Sequence, residues 1–275
     1  MSALSPVRLA DYHSRYTAAE PFPHVVIDHF IDTETARAIA VEYPTFEQAK
    51  ALGFSFNALN ERKKIQITDH ARFPARVKAL SDFLASPAFL ADLSALTGIP
   101  NLLADPRLHG GGMHMTGPHG RLDVHVDFNR GYGDLFRRLN VLVYLNPQWD
   151  ETWGGEIELW DEHVKNCRVS LSPILGRCLI FETSGISFHG VAPLQCPADQ
   201  VRRSFAAYYY TKEPPAQGDG VVHGTVFRAR PDEKLRAYVL MPAAQFNRGV
   251  RDAALGLIGR ARRAGGRTLR VLKLR

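Results

Sequence analysis

In the stretch RLDVHVDFN, His125 and Asp127 are two residues apart, interleaved with Val124, Val126 and Phe128. On a β-strand, side chains alternate between faces, so the imidazole and the carboxylate share one face and the apolar residues the other. A carboxylate on a buried face needs compensation. A half-solvated edge would supply water; a metal ion would supply charge. A third residue with ligand chemistry, His189, follows 64 positions later in FETSGISFHGVAP. Two imidazoles and one carboxylate, two near in sequence and one distant, form the donor set of a facial triad. Such a triad holds Fe(II) on one side of an octahedron and leaves three positions open. A zinc site closed by four protein ligands would want further Cys or His nearby, and none stands out.

Thirteen residues beyond His189, VRRSFAAYYYT opens an apolar run with adjacent arginines. A planar guanidinium grips a carboxylate through two parallel bonds, so an anionic ligand inside the fold would explain a buried arginine here. Arg202 and Ser204 alternate onto one face and can share that carboxylate, while Arg203 points the other way. The loop NRGYGDLFRR follows the His-x-Asp strand, so Arg130, Tyr132 and Arg137 are candidates to meet an anionic or sugar-like substrate. His114 and His119, just upstream, are candidate donors to metal ligands. His109, His163 and His223 read as structural or exposed. Trp149 and Trp153 read as loop anchors or as the lip of a substrate mouth.

Positioning these groups requires a scaffold, and the sequence indicates its kind. Residues 25–27 read as a short strand, followed by a helix capped at Asp32 or Thr33 and ended by Pro44. Val77, Leu80, Phe83 and Leu84, then Phe89, Leu90, Leu93 and Leu96, recur at helical spacing on either side of Ser86-Pro87, giving two consecutive helices that stop at Gly98. From about Leu108, short β-prone runs alternate with Gly, Pro and Asn breaks: RLDVHVDF, RLNVLVYLN, GGEIELW, RVSLSP, GRCLIFET and RRSFAAYYYT. Many short strands of this kind build a sandwich or barrel. The expected fold is mainly β with flanking helices: a jelly-roll core with N-terminal helical support and a C-terminal helix.

The order HVDFN, RLNVLVYLNPQWDETWGGEIELW, GRCLIFETSGISFHGVAP, RRSFAAYYYT resembles the prolyl 4-hydroxylase-like branch of the Fe(II)- and 2-oxoglutarate-dependent oxygenases. The likeness runs from about His114 to Thr211, and PFPHVVIDHF is similar to the lead-in of these proteins. The resemblance implies a double-stranded β-helix, cupin-like in outline. It implies His125, Asp127 and His189 as iron ligands, and Arg202, with Arg203 as the register alternative, on the distal carboxylate of 2-oxoglutarate. It further implies Tyr144 on that same carboxylate and Ile157 packed against the co-substrate. The implied activity is hydroxylation of an unactivated C–H bond in a prolyl, amino-acid, sugar or natural-product substrate. Dioxygen is consumed, succinate and CO2 are released, and L-ascorbate serves as reductant. Asp127 favours hydroxylation, since related halogenases lack the carboxylate.

The chain of 275 residues carries +6, but residues 247–275 alone hold nine Arg or Lys and one acid, so the rest is slightly acidic. The high pI therefore reports on the tail. There, Val250, Ala253, Ala254, Leu257 and Ile258 predict an amphipathic helix over 250–263, lying on the protein or touching an anionic surface. The expected organisation is a supporting segment at 1–106, a dioxygenase core at 107–213 and an extension at 214–275. No apolar run approaches the roughly 18 residues of a membrane span. Three cysteines without a Cys-x-x-Cys pair argue against a zinc ribbon or a disulfide framework and point to the cytoplasm. Two rival readings remain at this stage: a cupin-like metal- or ligand-binding protein without 2-oxoglutarate chemistry, and a non-enzymatic interaction module led by the basic tail.

Overall fold

The computed structural model describes residues 5–216 and 222–242, and the chain divides into two units, Met1–Arg228 and Ala229–Arg275. The first unit begins with a helix, α1 (His13–Thr17), a strand, β1 (His24–Ile27), and two helices, α2 (Thr33–Val41) and α3 (Phe46–Leu52). The side chain of Asp32 caps α2, and Thr45 with Gln48 forms a reciprocal capping box at α3. A hairpin, β2 (Phe54–Asn57) and β3 (Glu61–Ile67), precedes α4 (Ala75–Leu84) and α5 (Pro87–Thr97). Ser86 caps α5, and Gly98 ends it in the left-handed conformation that glycine adopts without strain.

The remaining strands are β4 (Leu103–Ala104), β5 (Gly112–Val126), β6 (Phe136–Tyr144), β7 (Ile157–Trp160), β8 (Cys167–Leu171), β9 (Cys178–Glu182), β10 (His189–Val191), β11 (Arg202–Thr211) and β12 (Val226–Arg228). All pair antiparallel in one curled sheet of order β1-β9-β6-β11-β5-β10-β7-β8, with β3 and β12 also on β5. The expected jelly-roll architecture with helical support is the one observed. The sequence reading missed the β2–β3 hairpin, the first half of β5, and β12. The predicted helix at 250–263 lies outside the described residues.

Strand alternation divides the sheet into a helix-packed face and an inner face. On β11, Phe205, Ala207 and Tyr209 join Met113 and Met115 of β5, Val141 and Val143 of β6, and the helix residues Leu80, Leu84, Phe89 and Leu93 in the main core. The alternate residues Arg202, Ser204 and Tyr208 face inward and line a cavity. Among the described residues no single helix is long and apolar enough to cross a membrane. The two helices α4 and α5 meet that test only when joined across a 51° bend. In the second unit the described residues 229–242 hold a short π-helical turn, Arg236–Leu240, with Arg230 and Arg236 within 3.9 and 3.8 Å of Glu233.

Two irregularities aim side chains inward. Between its halves β5 kinks at His119, which takes φ 60°, and the pairing with β3 shifts register nearby. A Cβ on Gly120 would stand 2.4 Å from the Thr116 side chain, so only glycine fits this kink. In β6 a bulge leaves Arg138 without an opposite number, since Tyr209 faces Leu139 while Tyr210 faces Arg137. The extra residue reverses alternation locally and turns Arg137 to the same side as Asn140.

Candidate metal centre and anion cavity

The second half of β5 and the short β10 pair so that His125 and His189 stand directly opposite one another. Their ring centroids are 4.3 Å apart. Asp127 follows at the end of β5, with Oδ1 3.6 Å from His125 Nε2 and Oδ2 3.5 Å from His189 Nε2. One ligand-type atom from each residue lies within 4.8 Å of the others, and all three residues are buried. The polar residues that share one face in the sequence are thus brought to a single point with the distant histidine.

Both imidazoles are oriented by the same device. His125 Nδ1 lies 2.9 Å from the backbone oxygen of Asp123, and His189 Nδ1 lies 2.9 Å from that of Ser187. A carbonyl only accepts, so each ring carries a proton on Nδ1 and turns Nε2 toward Asp127. Burial, and next the neighbouring His125, push the His189 pKa down to about 3. The ring is therefore neutral in ordinary buffers, as a metal ligand must be.

Burial opposes ionisation of Asp127, but the Arg137 guanidinium beside it holds its carboxyl well below the usual carboxylate range. Arg137 Nη2 donates to Asp127 Oδ2 at 2.9 Å, and Asn140 Nδ2 donates to the same oxygen at 2.8 Å. Asn140 Oδ1 in turn accepts from Arg137 Nε and Nη2, and from Thr183 Oγ1 at 3.3 Å. The guanidinium is sandwiched between Tyr208 at 3.6 Å and Phe128 at 4.5 Å from their ring centroids. The loop placement expected for Arg137 is corrected: it belongs to β6, is 2% exposed, lines the cavity and braces Asp127. Asn140 escaped the sequence reading, although an asparagine inside RLNVLVYLN was a signal, because a buried amide needs partners.

The triad lies on the wall of a cavity of about 910 Å³. Across β3, β5 and β11, Lys64, Thr116 and Arg202 stand in one row, and Gln66, His114 and Ser204 in the next, all lining the cavity. Arg202 is 5% exposed, and its Nε donates to the Gly155 oxygen at 2.7 Å. Among the described residues no carboxylate lies within ion-pair distance of it. The Tyr144 ring centroid is 5.1 Å from the Arg202 guanidinium, and its buried hydroxyl has no hydrogen-bond partner. Burial pushes the Tyr144 pKa up to about 12. Arg203 does not line the cavity; its main chain is bound on both sides by the Asn146 amide.

Ile157 lines the cavity, as does Arg130, whose Nη1 donates to the Asp134 oxygen and whose guanidinium stacks 3.9 Å from the Phe136 ring centroid. The side chain of Tyr132 lies outside the described residues. His114 is buried, with Nε2 3.0 Å from the Gly110 oxygen, while His119 is exposed at the kink. Trp149 and Trp153 pack edge-to-face at 5.5 Å in a satellite core and are not on the cavity wall.

A curled antiparallel sheet with a two-histidine, one-carboxylate cluster inside it defines a jelly-roll protein with a candidate metal centre. Residues 111–210 match the model of the 2OG-Fe(II) oxygenase superfamily. The chain is similar to the prolyl 3-hydroxylase OGFOD1 of Mus musculus, 33% identical over 78 residues, which make up 27% of this chain and 14% of that protein. Among solved structures, it superposes with TM-score 0.54 on a prolyl hydroxylase from Trichoplax adhaerens crystallised with a hypoxia inducible factor peptide fragment. That match has 20% identity over 74% of this chain and 89% of the other. It also superposes with TM-score 0.53 on the non-heme alpha ketoglutarate dependent carbocyclase SnoK from nogalamycin biosynthesis, at 12% identity over 84% and 92% of the two chains. At these identities the structural likenesses establish the fold.

Proposed function

We propose that this chain is an Fe(II)- and 2-oxoglutarate-dependent dioxygenase that hydroxylates an unactivated C–H bond, with release of succinate and CO2. The observation that carries the reading is Arg202: a buried cation without a carboxylate partner, on the wall of the same cavity as the triad. A buried guanidinium of this kind costs free energy unless an anion joins it. The orphaned Tyr144 hydroxyl beside it is a second group left wanting an oxygen. A dicarboxylate that reaches from Arg202 to the triad satisfies both, which a cupin-like protein without such a co-substrate would not require.

In this reading His125, Asp127 and His189 hold Fe(II), and Arg202, Tyr144 and Ser204 hold the far carboxylate of 2-oxoglutarate, with Ile157 against its chain. Iron and 2-oxoglutarate, when bound, supply the oxidising power of the reaction with dioxygen. The protein directs Nε2 of both imidazoles toward Asp127 and keeps Asp127 ionised through Arg137 and Asn140. Because Oδ2 already accepts two hydrogen bonds, Oδ1 is the oxygen free to ligate. Arg130 is kept as a substrate contact at the mouth. Prolyl, amino-acid, sugar and natural-product substrates all remain within the proposal, with L-ascorbate as reductant. The three free cysteines accord with a cytoplasmic setting, and the core at 107–213 carries every group named here.

Anaerobic addition of Fe(II) and 2-oxoglutarate to the metal-free protein tests the reading. A visible metal-to-ligand charge-transfer band is expected; its absence in well-folded protein would sink the proposal.

A further inference from the structure

Strand β12 lies beyond the superfamily segment, which ends at residue 210, yet it pairs with β5, the strand that carries His125. Its register sets Val226 opposite Val126, Phe227 opposite His125 and Arg228 opposite Val124. It continues, along the same edge of β5, a row that β3 begins at Leu122 and Arg121. The Phe227 ring packs on the His125 imidazole at 5.3 Å between centroids, tilted by 32°. Thr225 and Phe227 both line the cavity.

The segment is fastened on either side of that contact. Upstream, His223 N–H donates to Asn129 Oδ1 at 3.0 Å, and Asn129 N–H donates to the His223 oxygen at 3.3 Å. Downstream, Arg228 Nη1 donates to the Glu162 oxygen at 2.9 Å, and its guanidinium lies 4.2 Å from the Phe188 ring centroid. Three residues of β12 thus occupy what would be an open edge of the metal strand. They place one aromatic ring on one imidazole. The other histidine has a matching neighbour from the core: Phe181 packs edge-on to His189 at 4.7 Å.

We propose that Phe227 is a positioning residue of the metal centre, holding the His125 ring in the orientation that directs Nε2 at Asp127 and His189. The inference rests on the triad binding metal, as proposed above. The hydrogen bond from Nδ1 to the Asp123 oxygen fixes one point of the imidazole and leaves rotation about that point to packing. Phe227 supplies the packing on the side away from His189's strand, because β10 and β12 flank β5 at His125 on opposite edges. Hydrogen-bonded outer partners of metal ligands typically carry about 10- to 100-fold in metal affinity, and a packing partner is expected at the lower end of that range.

The test uses the full chain, freed of metal and titrated anaerobically with Co(II), whose visible absorption reports both affinity and ligand geometry. Phe227→Ala is expected to weaken Co(II) binding about 10-fold and to alter the band, and Phe227→Leu to recover most of the affinity by restoring packing area. Thermal melts of the metal-free variants separate this from a general loss of stability. A lower melting temperature with unchanged Co(II) affinity and band overturns the inference. Should Phe227→Ala not fold, the milder truncation Phe227→Val carries the comparison: a several-fold loss of Co(II) affinity with an altered band is expected, and wild-type affinity and band overturn the inference equally. Wild-type protein that binds no Co(II) overturns the oxygenase reading and this inference together, whereas binding that is indifferent to Phe227 overturns only the inference.

Discussion

Arg137 donates to Asp127 Oδ2 at 2.9 Å from a strand position that alternation alone would have turned away from the site. The bulge at Arg138 makes the contact, and Asn140 completes it from the regular part of the same strand. The triad carboxylate is therefore fixed by β6 while its own backbone lies one residue past the end of β5.

Removing that brace has a pH signature. Asp127 has a depressed pKa in the folded chain, so it contributes stability above the ordinary carboxylate range that is lost as pH falls through the lower, folded value. In Arg137→Met the main compensation goes, and burial then favours the protonated form. The variant is expected to be about 3–5 kcal/mol less stable near neutral pH. The difference from wild type should shrink toward pH 3. Chemical denaturation of the metal-free proteins at several pH values measures it; a deficit independent of pH would show that the ion pair is not its source.

Asp127→Ala removes a proposed metal donor and strands the Arg137 guanidinium. The charge-transfer band with Fe(II) and 2-oxoglutarate should vanish, and the metal-free protein should also lose about 3–5 kcal/mol for the uncompensated buried cation. Asp127→Ala combined with Arg137→Met should regain part of that stability but none of the band. Denaturation and anaerobic absorption spectra on the same samples check both halves.

Arg202→Ala should weaken 2-oxoglutarate binding by about 30-fold or more, equivalent to roughly 2 kcal/mol or more for a buried charge pair that loses one partner. Fe(II) binding in the absence of 2-oxoglutarate should stay within a few-fold of wild type. Arg203→Ala, off the cavity wall, should leave both constants nearly unchanged. Titrations monitored by the charge-transfer band decide between the neighbours, and the reverse pattern would reassign the anion grip to Arg203.

Gly155 has φ 75°, and its oxygen accepts from Arg202 Nε. A Cβ there would meet the Trp149 ring at 3.1 Å and Arg202 Cδ at 3.3 Å. Gly155→Ala should therefore cost about 1–2 kcal/mol for the left-handed backbone. It should also lower 2-oxoglutarate affinity by displacing Arg202. Isothermal titration beside a thermal melt would detect the two effects separately.

Residue types and spacing alone determined a good deal of this protein. His125, Asp127, His189 and Arg202 were legible because polar groups at strand periodicity in apolar runs must share a face and need a partner there. The helices of residues 75–97 were legible from their spacing and from Ser86-Pro87 and Gly98, which act through local backbone geometry. The jelly roll followed from the rhythm of short strands, aided by the family resemblance. The tertiary structure alone decided the partners. Arg137 reads as a loop arginine until a bulge, fixed by pairing with β11, reverses its direction. The β2–β3 hairpin and β12 are short and partly polar, and become strands because β5 offers them an edge. Phe227 comes to His125 across 102 residues of sequence, a proximity created by sheet pairing and by no local preference of the chain.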